Sequence, residues 1–255
     1  LSTYWKIVRE LRKENGELGV IFVNTFISAL LFRLGNVKKN IGYNREGRGF
    51  LLDFSPEINY HKHYINRYAF LFNEYIGNKY VYLPELSLRY TGQKTFQFDN
   101  SHKTIALYLG GENKEFRKYP DEYAVQLLRL LNRQGYNLLL IGDENDNIKH
   151  TQYAEEARID HLINLTARTT IEGFINTIAN VDLIITIDSS ALHIAAAVKT
   201  PFIALMGLST SPTSTILPKV PLGRILKIEN NLIREEDYIR NITPDLILKT
   251  ISELI

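Results

Sequence analysis

Leu183-Ile184-Ile185-Thr186-Ile187-Asp188-Ser189-Ser190-Ala191-Leu192-His193-Ile194-Ala195-Ala196-Ala197-Val198 changes its period once, at the aspartate. The first five residues form an unbroken apolar, mostly β-branched run, the pattern of a strand covered on both faces. Asp188, Ser189 and Ser190 are helix-cap residue types, and the Ala/Leu-rich segment behind them is a helix. A buried strand feeding directly into a capped helix is half of a βαβ unit, and it argues for a parallel sheet.

The same alternation extends in both directions. Upstream, strands are predicted at Thr104–Leu109, Asn137–Ile141 and His161–Leu165, and helices at Asp121–Gln134, Asn147–Ile159 and Thr170–Ala179. Downstream come a fifth strand, Phe202–Met206, and a sixth at Arg224–Ile228. A last helix begins at Thr243-Pro244-Asp245, a cap followed by proline at the first helical position. Six such units make a doubly wound, Rossmann-like domain over 104–255. Its ligand belongs outside the carboxyl ends of the strands, where loops expose N–H donors.

Residues 1–90 repeat the theme less completely. A helix Ser2–Lys13, a strand Leu18–Val23, a helix Thr25–Leu34, a strand Val37–Gly42 and an aromatic amphipathic helix His61–Ile76 read as the later part of a second Rossmann-like domain. Its first strand-helix unit is expected before Leu1. The polar stretch 91–103 reads as the linker.

Composition narrows the classes. The chain has 255 residues and no cysteine, which excludes disulfides and thiolate metal sites. No stretch approaches the roughly 20 apolar residues of a membrane helix. Net charge is +2, with 13 Lys/Arg against 8 Asp/Glu over residues 1–90 and an excess of three acids beyond. That basic half suits an anionic partner or is scatter, and there is no dense basic stripe for nucleic acid.

The chemistry concentrates at Asp188-Ser189-Ser190-Ala191-Leu192-His193. A helix N-terminus with hydroxyls and a histidine in its first turn is an anion site. The same pattern alone also describes a capped helix with a packed histidine. Arg45 and Arg48 read equally as contacts for an acidic acceptor or as a solvated loop. His61 and His63 have no carboxylate at matching spacing, so no metal site is expected.

Together, Ile185 to Ala197 and Thr200-Pro201-Phe202-Ile203-Ala204-Leu205-Met206-Gly207 resemble the D-S-G-x-x-H-x-A-A-A…P-x-x-x-x-x-G signature of glycosyltransferase family 9, the ADP-heptose:lipopolysaccharide heptosyltransferases. Ser190 stands where the family has glycine. Asn164-Leu165-Thr166-Ala167-Arg168-Thr169-Thr170-Ile171-Glu172 resembles its N-L-T-G-x-T-S-x-x-E run. Lys118-Tyr119-Pro120 resembles its K-x-W-P, and Gly142-Asp143-Glu144 its G-x-E turn.

The resemblance implies a GT-B fold: an N-terminal acceptor domain, residues 1–90, facing a C-terminal donor domain. It implies an inverting, metal-independent transfer of a sugar, heptose by family, from a nucleoside-diphosphate sugar to a lipopolysaccharide-type, anionic glycolipid acceptor. It implies no cofactor, and a cytoplasmic enzyme at most peripheral to the inner membrane. Carried over by position, Asp188, Ser189, Ser190 and His193 would line the pyrophosphate, with Gly110 and Gly111 in the first loop. Lys118 would meet the leaving-group phosphate, Glu144 the ribose and Thr169 the base. The general base stays unassigned, because Asp53 matches no motif. A nucleotide-sugar-binding module without catalysis is the alternative, and an epimerase of the same fold a third.

Overall fold

The computed structural model describes residues 2–80, 86–98, 101–110, 116–207, 217–218, 220–228 and 234–255. The chain divides into two compact units, the first built mainly from residues up to 85 and the second from Leu86 onward.

In the first unit, α1 (Ser2–Glu14) leads to β1 (Leu18–Ile21), α2 (Phe26–Leu34), β2 (Lys39–Gly42) and α3 (Tyr64–Tyr75). β1 and β2 pair in parallel, Leu18 opposite Lys39 through Ile21 opposite Gly42. Thr25 caps α2 by accepting from the Ser28 N–H. A short 3-10 turn, Arg48–Leu51, follows β2.

The second unit holds a six-stranded sheet, entirely parallel. Its strands are β3 (Thr104–Tyr108), β4 (Asn137–Leu140), β5 (Leu162–Asn164), β6 (Leu183–Ile187), β7 (Phe202–Leu205) and β8 (Gly223–Leu226). Its helices are α4 (Asp121–Arg133), α5 (Asn147–Ala157), α6 (Ile171–Ala179), α7 (Ser190–Val198) and α8 (Pro244–Ile251). The spatial order is β5-β4-β3-β6-β7-β8. Strand order therefore reverses between β3 and β6.

Alternation along each strand explains the two-sided burial. Ile105, Leu107 and Leu109 pack with α4, α5 and α8 through Leu128, Tyr153 and Ile247. Ala106 and Tyr108 pack on the other face with α6 and α7 through Ile178, Leu192 and Ala195. All five residues of β3 and of β6 are buried, which is why each run carries no polar side chain except threonine and tyrosine.

The segment expected as a linker is held on this unit. Thr91 and Gly92 donate their N–H groups to Asn176 Oδ1 at 3.1 and 3.2 Å, and Phe96 and Phe98 pack against the α6/α7 face. No described helix is long and apolar enough to cross a membrane.

Candidate functional site

The reversal between β3 and β6 opens the sheet's carboxyl edge at their junction, and only two residues separate β6 from α7 there. β6 ends at Ile187, and Ser189, in extended backbone, caps α7. Its Oγ accepts from the Ala191 N–H at 3.2 Å and lies 2.9 Å from Thr186 Oγ1. Thr186 gives its own proton to the Ile187 carbonyl at 2.9 Å. The Ser189 proton therefore goes to Thr186, and Ser189 acts as the cap. Ser190 is exposed at the first helical position, with its hydroxyl and the remaining first-turn N–H groups available to an anion. Asp188 and His193 are half-buried beside it.

The neighbouring strands bring the other candidates to the same edge. Gly110 follows β3 with φ +81°, a left-handed conformation that glycine adopts without strain. Gly111 lies outside the described residues. After β4, Asp143 and Asp146 form a reciprocal capping box on the 3-10 turn Glu144–Asp146, leaving Glu144 exposed at its start. After β5, Thr169 is half-buried and Thr170 caps α6 by accepting from the Gly173 N–H at 3.1 Å. β5, β4, β3 and β6 are consecutive neighbours, so these loops line a front of about 14 Å at ordinary strand spacing. That length suits an extended nucleoside diphosphate.

Lys118 is not a solvated loop lysine. Its Nζ lies 2.7 Å from Asp121 Oδ1 at the start of α4, and its side chain is 24% exposed. Asp121 also accepts from Lys149 Nζ at 3.0 Å and from the Tyr153 hydroxyl at 2.5 Å. Burial alone would raise the Asp121 carboxyl, but the hydrogen bonds from Lys118, Tyr153 and Lys149 outweigh it and hold it at about 2. Tyr119 is buried, with its N–H on the Leu109 carbonyl at 3.0 Å and its hydroxyl on the Ile242 carbonyl at 2.8 Å.

A second buried group carries no signal in the residue pattern. His150 on α5 is fully buried, with Nδ1 2.8 Å from Thr166 Oγ1. Burial lowers its imidazole to about 4, against a smaller opposing pull from Asp143. Thr166 precedes Ala167, which holds φ +60° and donates its N–H to the Gly142 carbonyl at 3.1 Å. His150 thus braces the turn that joins the β4 and β5 loops.

In the first unit, Arg48 corrects an expectation. It is fully buried, and its guanidinium donates to the carbonyls of Val23, Thr25 and Tyr43, to Ser28 Oγ and to Asn24 Oδ1. Val23, Asn24 and Thr25 follow β1, Ser28 is in the first turn of α2 and Tyr43 follows β2, so Arg48 ties the segments after the two strands together and does not face a substrate. Arg45 remains exposed, with its guanidinium 5.5 Å from the Tyr60 ring centre. Among the described residues no group of three His, Asp or Glu converges as metal ligands.

A doubly wound sheet with a helix start at its strand-order reversal, preceded in the chain by a second parallel α/β unit, is a fold of the GT-B class. The profile of glycosyltransferase family 9 (heptosyltransferase) matches residues 4–236, and the chain belongs to that family. It is 26% identical to lipooligosaccharide heptosyltransferase 2 of Haemophilus influenzae, over 100% of this chain and 81% of that protein. The structure of E. coli ADP-heptose lps heptosyltransferase II superposes with a TM-score of 0.81 at 22% identity, covering 98% of this chain and 80% of the other. A family 9 glycosyl transferase from Veillonella parvula gives a TM-score of 0.84 at 15% identity, covering 99% and 78%. The chain is a glycosyltransferase.

Proposed function

We propose that this enzyme transfers heptose from ADP-heptose to a lipopolysaccharide-type acceptor, with inversion and without a metal. The observation that carries the reading is the placement of the Asp188-to-His193 motif at the strand-order reversal, where fold and motif independently call for a diphosphate. The names of the Haemophilus and E. coli relatives supply the heptose and the lipopolysaccharide.

In this reading the second unit binds the donor. Ser190, His193 and the α7 N–H groups receive the pyrophosphate, and the segment carrying Lys118 brings positive charge from β3. Asp188 orients the turn, Gly110 and Gly111 let the first loop approach, Glu144 accepts from the ribose and Thr169 lies near the base. Breaking the bond between the anomeric carbon and the diphosphate leaves an electron pair on oxygen. Fixed donors stabilise that charge as it develops. The first unit takes the acceptor, whose anionic character matches the basic excess of residues 1–90. The general base stays unassigned; Asp53 is committed to the Asn40 N–H at 2.8 Å.

A calorimetric comparison of ADP-, GDP- and UDP-sugars tests the donor. ADP-heptose is expected to bind at least about tenfold more tightly than the others, a difference of about 1.4 kcal/mol. Tighter binding of a GDP- or UDP-sugar would overturn the adenine and heptose assignments.

A further inference from the structure

We infer that His150, together with Thr166, is the positioning residue for the nucleoside half of the donor: the pair fixes the loop carrying Glu144 against the loop carrying Thr169, and leaves the diphosphate half at α7 alone. This rests on the donor reading above.

The two loops follow neighbouring strands and meet through a side chain from each. His150 stands one turn into α5, which leaves directly from the 3-10 turn that Glu144 begins. Thr166 is fully buried in the segment between β5 and α6, shortly before Thr169. The 2.8 Å bond between His150 Nδ1 and Thr166 Oγ1 therefore crosses from one loop to the other. Two more bonds cross beside it, from the Ala167 N–H to the Gly142 carbonyl at 3.1 Å and from Asn164 Nδ2 to Thr151 Oγ1 at 3.4 Å. Tyr108, at the end of β3, meets the His150 ring edge to face with 6.5 Å between centres, and it gives its hydroxyl proton to Asp143 Oδ2 at 3.4 Å. The spacing of Glu144 and Thr169 is thus held by groups other than the two themselves.

That His150 does more than fill space follows from the other end of its ring. Nε2 is buried and has no hydrogen-bond partner among the described residues. A phenylalanine would pack against Tyr108 and Tyr153 without that desolvated nitrogen. The offsetting gain is the bond at Nδ1, which sets where the turn at Ala167 stands and so where Thr169 stands. A shift of about 1 Å in one loop is enough to weaken contacts made jointly by two. The start of α7 is independent of this brace. β3 separates β6 from β4 and β5, and the Ser189 cap is held by Thr186 and the Ala191 N–H. Loss of the His150–Thr166 bond therefore divides the donor, weakening the hold on the nucleoside and leaving the hold on the diphosphate.

Calorimetry on the whole chain with two probes, ADP and inorganic pyrophosphate, reads that division. Thr166→Val, which keeps the shape and removes the hydroxyl, is expected to weaken ADP about five- to tenfold and pyrophosphate by less than about twofold. His150→Phe is expected to give the same pattern, and it carries the test if Thr166→Val does not fold. Thr166→Ser, which keeps the hydroxyl, should restore ADP affinity. In turnover, KM for the nucleotide sugar should rise by the same factor with kcat within about twofold, the mark of a lost binding contact. ADP affinity unchanged in both variants, or ADP and pyrophosphate weakened alike, would overturn the inference and leave the donor reading standing. A wild-type chain that binds no nucleoside diphosphate would overturn the donor reading and this inference with it.

Discussion

At the level of single residues, the site separates groups that hold the fold from groups left over for a ligand. Ser189 spends its proton on Thr186 and its lone pairs on the Ala191 N–H, whereas Ser190 is exposed one position later. Ser190→Ala is therefore expected to weaken ADP about tenfold by calorimetry with little change in stability, and His193→Ala, in the first turn of α7, to weaken it by a similar factor. His150 belongs to the first group. Its folded value of about 4 lies below the ordinary 6.5, so between these values the unfolded state binds more protons than the native one. Its stabilising effect is complete above about pH 6.5 and falls by roughly 3 kcal/mol as pH drops to about 4. Urea midpoints across that range should fall more steeply in wild type than in His150→Gln. Equal slopes would remove the assigned role. Asp121 has the same sense at lower pH, its contribution being present above about pH 4 and lost as pH falls through about 2. Ser190 and His193 were legible in the sequence as a motif, whereas the buried partners were not. A fully buried His150 or Arg48 looks like any polar residue, and the partners of Asp121 lie 28 and 32 positions away.

At the level of elements, legibility followed burial. Strands β3, β4, β6 and β7 were readable as continuous apolar runs because helices cover both faces of the sheet. The 3-10 turns Arg48–Leu51, Glu144–Asp146 and Glu235–Asn241 were not, since three to seven residues carry too little periodicity. The turns also hold local strain. Ala167 sits at φ +60°, where a Cβ costs about 1 kcal/mol. Ala167→Gly is expected to raise the unfolding free energy by about 0.5–1 kcal/mol despite glycine's freer unfolded chain. Denaturation at neutral pH measures this, and a destabilised variant would show that the turn is not strained. Tyr119 anchors the loop after β3 through its hydroxyl bond to Ile242. Tyr119→Phe leaves that carbonyl without its partner and should lower stability by about 1–2 kcal/mol.

At the level of the molecule, order along the chain and order in space differ in the feature that matters most. The alternation of strands and helices showed a doubly wound sheet, but strand periodicity does not encode the arrangement β5-β4-β3-β6-β7-β8. That order brings the loops after Tyr108, Leu140, Asn164 and Ile187 to one edge, so that four motifs scattered along the chain stand side by side. The first unit is less specified by its residues, because its described sheet has two strands and its loops are joined by the buried Arg48. The central claim is that heptosyl transfer from ADP-heptose depends on the start of α7. The most direct measurement is the rate of ADP release from ADP-heptose in the presence of a heptose-deficient lipopolysaccharide core, for wild type and for His193→Ala with Ser190→Ala. Wild-type turnover that needs the acceptor, and falls about 100-fold or more in the double variant, is expected. Acceptor-dependent turnover that survives the double substitution unchanged would contradict the site.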